Sequence, residues 1–217
     1  MPDLLHVTSS PRRDRSESLA LAEALLDAYR KTAPQAEIDR LDLFDDPLPV
    51  FATDAARAKM KVIGGEKFSA ADAAAWAELE AVFGRLTGAD DLVFTVPMWN
   101  AGIPWPLKHL IDLVTQPGLA FGFDPGHGYS GLLEGKRAVA LYTSHVYFPG
   151  VDARFGVDFH STYFEYWLRF VGIEDIRTVR LQPSYRTPDF DERKAAALAE
   201  ARALGRGLAA SRVAEAA

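Results

Sequence analysis

The fold is decided by residues 92–100, which read Leu-Val-Phe-Thr-Val-Pro-Met-Trp-Asn. A run of apolar, β-prone residues ends there abruptly in proline, an aromatic residue and an amide. Residues 103–108 then read Ile-Pro-Trp-Pro-Leu-Lys and begin a helix, because proline is accepted in a first helical turn. A buried strand that ends in this way places backbone amides and a polar side chain at the carboxyl edge of a sheet. In open α/β folds, ligands bind at that edge.

A second loop of this kind follows the apolar strand at residues 4–7 and reads Thr-Ser-Ser-Pro-Arg-Arg-Asp-Arg-Ser-Glu-Ser over residues 8–18. Hydroxyls at Ser10, Ser16 and Ser18, running into a helix N-terminus, are the donors that a phosphate needs. The alternative is that Ser16 only caps the helix and the arginines are solvated. This loop has neither a GxGxxG nor a GxxxxGK[ST] motif. Together the two loops predict a phosphorylated aromatic cofactor across the strand tips.

The rest of the chain alternates short apolar runs with stretches of helical periodicity. Five strands are predicted, at residues 4–7, 36–41, 91–96, 137–143 and 175–181. Helices are predicted at residues 19–29, 54–86 with a break near Gly64-Gly65, 104–114, 155–171 and 189–208. This alternation predicts an α/β protein with one domain over residues 1–217. Its doubly wound, five-stranded parallel sheet should have the flavodoxin-like order 2-1-3-4-5.

Residues 116–135 are predicted to form a long, glycine-rich loop between the helix at residues 104–114 and the fourth strand. Loops of that length inside a compact domain are usually functional or disordered. The aromatic residues Phe121, Phe123 and Tyr129 favour function, since disordered segments are poor in aromatics. They are predicted to build a substrate pocket, with ordinary core and interface packing as the alternative.

The composition excludes several classes of protein. A net charge of −6 argues against a nucleic-acid partner. The chain has no cysteine, so disulfides, thiolate metal ligands and a cysteine nucleophile are excluded. No apolar run approaches the length of about 18 residues that a membrane span needs, and no signal peptide is recognisable. We therefore expect a cytoplasmic protein without a membrane partner. No histidine pair has metal-ligand spacing with a carboxylate, so we expect no metal.

Several motifs, taken in chain order, are together more specific than any one of them. They are Ser9-Ser10 with Ser16-x-Ser18, residues 43–50 (Leu-Phe-Asp-Asp-Pro-Leu-Pro-Val), residues 97–100 (Pro-Met-Trp-Asn) with Leu107-Lys108, Phe121 with Gly131-Leu132 and Gly135-Lys136, and residues 170–173 (Phe-Val-Gly-Ile). With these motifs the chain resembles the FMN-dependent NADH:azoreductase family, relatives of the NAD(P)H:quinone reductases. The resemblance extends over nearly the whole chain.

The resemblance implies a homodimer of flavodoxin-like subunits that hold FMN at the carboxyl edge of the sheet. It places the phosphate on Ser10, Ser16, Glu17 and Ser18, and the ribityl chain and isoalloxazine beside Pro97, Met98, Trp99, Asn100 and Ala101. The backbone amides of Trp99 and Asn100 would approach flavin N5 and O4, where negative charge grows on reduction. The alternatives are a core role for the Trp99 indole and an Asx turn at Asn100.

One departure from the family concerns the loop after the fourth strand. Where relatives usually carry Gly-Gly, this chain has Val146 and Tyr147, which do not adopt a positive φ cheaply. The loop is therefore expected to take another path or to contact the flavin differently. Residues 144–147 (Ser144, His145, Val146 and Tyr147) are still predicted to border the cofactor. His145 and Tyr147 are the candidates for protonating a substrate, although a lone loop histidine is more often a surface residue.

The resulting hypothesis is an FMN-dependent oxidoreductase. Hydride would pass from NADH or NADPH through flavin N5 to a small aromatic acceptor, which the resemblance implies is a quinone, azo or nitroaromatic compound. Ping-pong kinetics are expected because both substrates would use one flavin face. Two alternatives remain: a flavodoxin-like electron carrier, and a specialised FMN-dependent pathway enzyme with one dedicated substrate.

Overall fold

The computed structural model describes residues 2–184 and 187–215. A parallel sheet of five strands lies between helices, in the order β2-β1-β3-β6-β7. Its strands are β1 (Leu4–Thr8), β2 (Ile38–Asp42), β3 (Asp91–Pro97), β6 (Arg137–Thr143) and β7 (Asp175–Leu181). The helices are α1 (Glu17–Thr32), α2 (Thr53–Gly64), α3 (Ala70–Thr87), α4 (Trp105–Val114), α5 (Ser161–Phe170) and α6 (Phe190–Glu215). The predicted flavodoxin-like α/β sheet is confirmed.

Two further strands, β4 (Phe121–Asp124) and β5 (Gly128–Gly131), form an antiparallel hairpin outside this sheet. The prediction of an irregular loop over residues 116–135 was therefore wrong at its centre. When the hairpin strands are left out of the numbering, the spatial order of the five strands in the sheet is the predicted 2-1-3-4-5.

The core consists of two apolar layers, one on each face of the sheet. Side chains alternate along β3, so that Phe94 packs in the layer under α5 while Val93 packs in the layer under α1 and α6. Helices α1 and α6 approach closely at Gly205, where an added Cβ would lie 2.2 Å from the Leu25 carbonyl oxygen. The central strands are therefore buried on both faces, which leaves the strand tips as the accessible part of the sheet.

The hairpin is fixed at its turn and at its end. At the turn, the Asp124 carboxylate accepts hydrogen bonds from the amides of Gly126 and His127, at 2.8 and 2.9 Å. At the end of β5, an added Cβ on Gly131 would lie 2.1 Å from the amide nitrogen of Gly172. The hairpin therefore packs backbone against backbone on the turn that follows α5.

The helix predicted over residues 155–171 begins later, at Ser161. Residues 153–155 form a short 3-10 turn, and Gly156 with φ 146° stops the chain from continuing it as a helix. Helix α6, in contrast, continues beyond its predicted end at residue 208. Among the described residues, no helix is long and apolar enough to cross a membrane.

Candidate active site

The serine loop between β1 and α1 is buried against the neighbouring strand. The Ser9 amide donates to Thr95 Oγ1 at 3.0 Å, which ties the loop to β3. Ser16 caps α1 by accepting from the Leu19 amide, and its hydroxyl lies 3.1 Å from that of Ser18. Ser10, Ser16 and Ser18 are all at most 5% exposed. Ser16 is therefore a helix cap, as the alternative interpretation proposed, and it also belongs to a group of buried hydroxyls at a helix N-terminus.

Two charged residues of this loop, Arg13 and Glu17, form ion pairs with residues outside it. The Glu17 carboxylate lies 2.8 Å from the Lys194 ammonium on α6. Arg13, in the left-handed region at φ 53°, pairs with Asp42 at 2.9 Å and with Asp45, and its hydrogen bond holds the pKa of Asp45 below the usual range. These ion pairs therefore hold the Arg13 guanidinium on the β2 side of the sheet.

The strand tip after β3 forms a tight reverse turn. The amide of Trp99 donates to the carbonyl of Gly102 and the amide of Gly102 donates back to Trp99, both at 2.9 Å. The two central residues, Asn100 and Ala101, have φ values of 49° and 66°. This is the geometry of a type I′ turn, which suits asparagine but strains alanine.

The turn corrects one detail of the sequence-based prediction. The Trp99 amide already donates inside the turn, so it does not point at a ligand. The amides of Asn100 and Ala101, in contrast, have no acceptor among the described residues. The turn therefore offers two adjacent backbone donors, one residue further along the chain than the predicted pair.

A cleft of about 960 Å³ opens beside this turn. Trp99, Asn100 and Trp105 of α4 line it, and Trp105 is 64% exposed. The Phe44 ring lies 6.1 Å from the Trp99 ring and 6.3 Å from the Trp105 ring, between centroids. The cleft has aromatic walls, which are typical of sites for planar ligands. Its remaining lining residues are Val50, Phe51, Lys59, Gly102, Ile103, Lys108, His109 and Asp112.

The loop after β6 lies next to this turn, since the Met98 amide donates to the Thr143 carbonyl at 2.7 Å. Neither Val146 nor Tyr147 has a positive φ, so the backbone of this loop does not require glycine at these two positions. His145 and Val146 are exposed, while Ser144 is buried and its hydroxyl donates to the Tyr147 carbonyl.

Three consecutive residues that the sequence analysis missed contact this site. The Tyr147 hydroxyl donates to Asp158 at 3.4 Å, the Phe159 amide donates to the Ala101 carbonyl at 3.1 Å, and His160 Nε2 lies 2.6 Å from the Val96 carbonyl oxygen. They were assigned to a helix, although an Asp three residues before Ser161 is a recognisable helix-start signal.

The predicted substrate-pocket residues lie together on the hairpin. The Phe123 and Tyr129 rings are 5.0 Å apart and 62% and 64% exposed, and Phe121 lies 5.7 Å from Tyr129. They line a separate cleft of about 500 Å³, which shares Lys59 with the cleft beside the turn. Within one chain, the hairpin aromatics and the strand-tip residues therefore face two adjoining spaces rather than one.

The site residues fit a phosphorylated, planar aromatic group. Buried hydroxyls at the start of α1 suit a phosphate, and the positive end of the helix dipole favours its charge. The outward amides of Asn100 and Ala101 suit carbonyl or ring-nitrogen acceptors, and the indoles of Trp99 and Trp105 suit a flat ring. FMN combines these features.

A doubly wound sheet with such a site at its carboxyl edge defines a flavodoxin-like protein, and the family model described as "Flavodoxin-like fold" matches residues 2–204. The chain belongs to this family and, within it, to the group of FMN-dependent NADH:quinone oxidoreductases and azoreductases. It is 47% identical to an FMN-dependent NADH:quinone oxidoreductase of Ruegeria pomeroyi, over 87% of this chain and 93% of that one. It is 39% identical to a counterpart from Pseudomonas fluorescens, over 97% and 99%.

The solved structures agree with this assignment. An azoreductase from Bacillus anthracis superposes with a TM-score of 0.84 at 26% identity, covering 95% of this chain and all of that one. The family predicted from the motifs is confirmed.

Proposed function

We propose that this protein is an FMN-dependent oxidoreductase that takes electrons from NADH and reduces quinones and azo compounds. The observation that carries the proposal is the 47% identity to a named FMN-dependent NADH:quinone oxidoreductase over 93% of its length. The strand-tip site supports it independently, because its residues fit FMN. Quinone and azo acceptors are the substrates named for the relatives.

The phosphate of FMN would bind at the serine loop. Ser10, Ser16 and Ser18 supply hydroxyls, and the first turn of α1 supplies backbone amides. Because the Glu17 carboxylate is paired with Lys194, Glu17 contributes its amide rather than its charge.

The isoalloxazine would lie against residues 97–101 (Pro97, Met98, Trp99, Asn100 and Ala101), with residues 144–147 at its other edge. FMN held by these residues would supply the two-electron redox chemistry between NADH and the acceptor. The amides of Asn100 and Ala101 are fixed by the turn before any ligand arrives. Preorganised donors of this kind stabilise negative charge without a reorganisation cost.

Tyr147 is one of the two candidate proton donors. Burial, and next the nearby Asp158 carboxylate, raise the pKa of its hydroxyl, so the group stays protonated at neutral pH. In this structure the hydroxyl donates its proton to Asp158, so that hydrogen bond must open before the group can protonate a substrate. His145, which is exposed, is the alternative donor.

We also propose a homodimer. Phe123, Tyr129 and Tyr166 are each more than 60% exposed, and Phe170 joins the rings of Tyr129 and Tyr166 at 5.4 and 6.1 Å. Such a patch is typical of a protein interface. A second copy that covers it would bring hairpin aromatics to the rim of a neighbouring site. Sedimentation at several concentrations tests this; a monomer at micromolar concentration would contradict it. A cytoplasmic location remains a prediction.

The test of the function is an absorbance spectrum of the purified protein before and after anaerobic NADH, followed by addition of a quinone. We expect flavin bands that NADH bleaches and the quinone restores, with parallel-line, ping-pong kinetics. Flavin bands that NADH does not bleach would favour an electron carrier or a dedicated enzyme instead. A protein that takes up no FMN would overturn the proposal. Repeating the titration with NADPH decides the coenzyme preference.

A further inference from the structure

We propose that residues 158–160, and His160 in particular, are positioning residues that hold the strand-tip turn in its FMN-binding geometry. The inference rests on the proposed function only in taking FMN as the ligand. Its evidence is a set of contacts within the chain itself.

Each residue of this segment holds a different part of the site. Asp158 accepts from the Tyr147 hydroxyl, and the Phe159 amide donates to the Ala101 carbonyl at 3.1 Å. His160 Nε2 lies 2.6 Å from the carbonyl oxygen of Val96, which is three residues before the turn begins at Trp99. The segment is itself fixed, because the Asp158 carboxylate accepts from the amides of His160 and Ser161 at 3.0 and 2.7 Å.

The histidine is suited to this role because its ring is neutral and fully buried. Burial lowers the pKa of His160 to about 4, so the ring carries one proton at neutral pH. A carbonyl oxygen only accepts, so that proton is on Nε2 and is donated to Val96. The ring also packs edge-on against Tyr142, with centroids 4.9 Å apart, which fixes its orientation. The titratable groups around it are Asp158 before the helix, Glu165 on α5, Tyr142 on β6 and Arg180 on β7.

The turn needs such support because its backbone is strained. Ala101 has φ 66°, and residues other than glycine and asparagine rarely occupy this region. A strained turn persists only where its surroundings over-determine it. Here the internal bonds of the turn are supplemented from outside by Phe159 at Ala101 and by His160 at Val96. Loss of the His160 bond should let the strand tip shift, and the outward amides of the turn would then no longer match the ligand.

The experiment compares four variants for FMN affinity, measured by quenching of FMN fluorescence on titration with apoprotein. His160→Phe keeps a ring without a donor. His160→Gln places an amide donor near the position of Nε2, whereas His160→Asn is one methylene too short to reach Val96. His6→Phe is the matched control, because His6 is an equally buried histidine in β1 whose ring bonds only Thr8 among the described residues.

We expect the FMN dissociation constant to rise about tenfold in His160→Phe and His160→Asn, and to stay within about twofold of wild type in His160→Gln and His6→Phe. The visible absorption band of bound FMN should shift in the first pair only. Equal affinity in all four variants would overturn the inference. If His160→Phe does not fold, as judged by circular dichroism, the Gln and Asn variants decide. Wild-type protein that binds no FMN refutes the proposed function instead.

Discussion

Trp99 and Gly102 each donate a backbone hydrogen bond to the other at 2.9 Å, and the two residues between them are left-handed. This reciprocal pair explains why the chain changes direction immediately after β3. It also fixes which amides are free, because the amide of Trp99 is used and those of Asn100 and Ala101 have no acceptor in the described part of the chain. The chemistry available at this edge therefore follows from a turn of four residues.

Ala101→Gly should stabilise the protein. The left-handed conformation costs a non-glycine residue about 1–2 kcal/mol. Glycine removes that cost but loses more backbone entropy on folding, which costs about 0.5–1 kcal/mol. We expect a net gain of about 0.5–1 kcal/mol in the free energy of unfolding, measured by urea denaturation. Ala101→Val should lose stability; a gain there would mean that the turn is not strained.

Asn100→Ala should weaken FMN binding and slow reduction by NADH, because it removes an exposed amide side chain at the cleft and adds strain at φ 49°. Asn100→Gly removes the same side chain without the strain. Comparing dissociation constants of the two variants separates the side chain from the backbone. Wild-type affinity in both would remove the Asn100 side chain from the site.

Ser18→Ala should reduce affinity for FMN but not for riboflavin, which lacks the phosphate. Ser16→Ala should do the same and also cost about 1 kcal/mol of stability, because Ser16 caps α1. Isothermal titration with both flavins, together with thermal unfolding of the apoprotein, checks each part. An equal loss for both flavins would place the phosphate elsewhere.

Stability should fall on acidification below about pH 6. Burial, aided by Arg40, lowers the pKa of His6 to about 3, and burial lowers that of His160 to about 4. In the unfolded chain both have a pKa of about 6.5. Below that pH the unfolded chain therefore binds more protons than the folded protein, and the free energy of unfolding falls as the pH falls. Each histidine should contribute about 1.4 kcal/mol per pH unit down to its folded pKa. Urea titrations at several pH values test this, and His160→Gln should remove about half of the slope.

Gly205→Ala and Gly207→Ala should have opposite effects although they lie two residues apart on α6. A Cβ at Gly205 would lie 2.2 Å from the Leu25 carbonyl oxygen, so α1 and α6 must separate, at a cost of about 1–3 kcal/mol. A Cβ at Gly207 meets nothing within 4 Å, and alanine there should gain up to about 1 kcal/mol. Thermal unfolding measures both. Equal effects would contradict the close packing of the two helices.

The sheet was predictable because buried parallel strands are short apolar runs, such as residues 92–96, separated by helical periodicity. The hairpin was not, because the alternation at Phe121 and Phe123 covers only four residues and is hidden among glycines. The start of α5 was misplaced because aromatic residues from Phe155 onward extend its apparent periodicity across Gly156.

The site was predictable as a location but not in its details. The loops at Ser10 and Asn100 were identified because each follows a strand. The supporting residues Asp158 and His160 were missed, since their role depends on contacts with Tyr147 and Val96 that are distant in sequence. Periodicity and local motifs do not encode such contacts.

The hairpin lies between α4 and β6 in the chain, and its two strands pair with each other rather than with strands of the five-stranded sheet. The close contact of Gly131 with Gly172 anchors it at one end. Residues 122–130 can therefore diverge during evolution, or be exchanged between relatives, without disturbing the strand tips. Such changes would alter the predicted substrate pocket of Phe121, Phe123 and Tyr129 and leave the strand-tip residues in place.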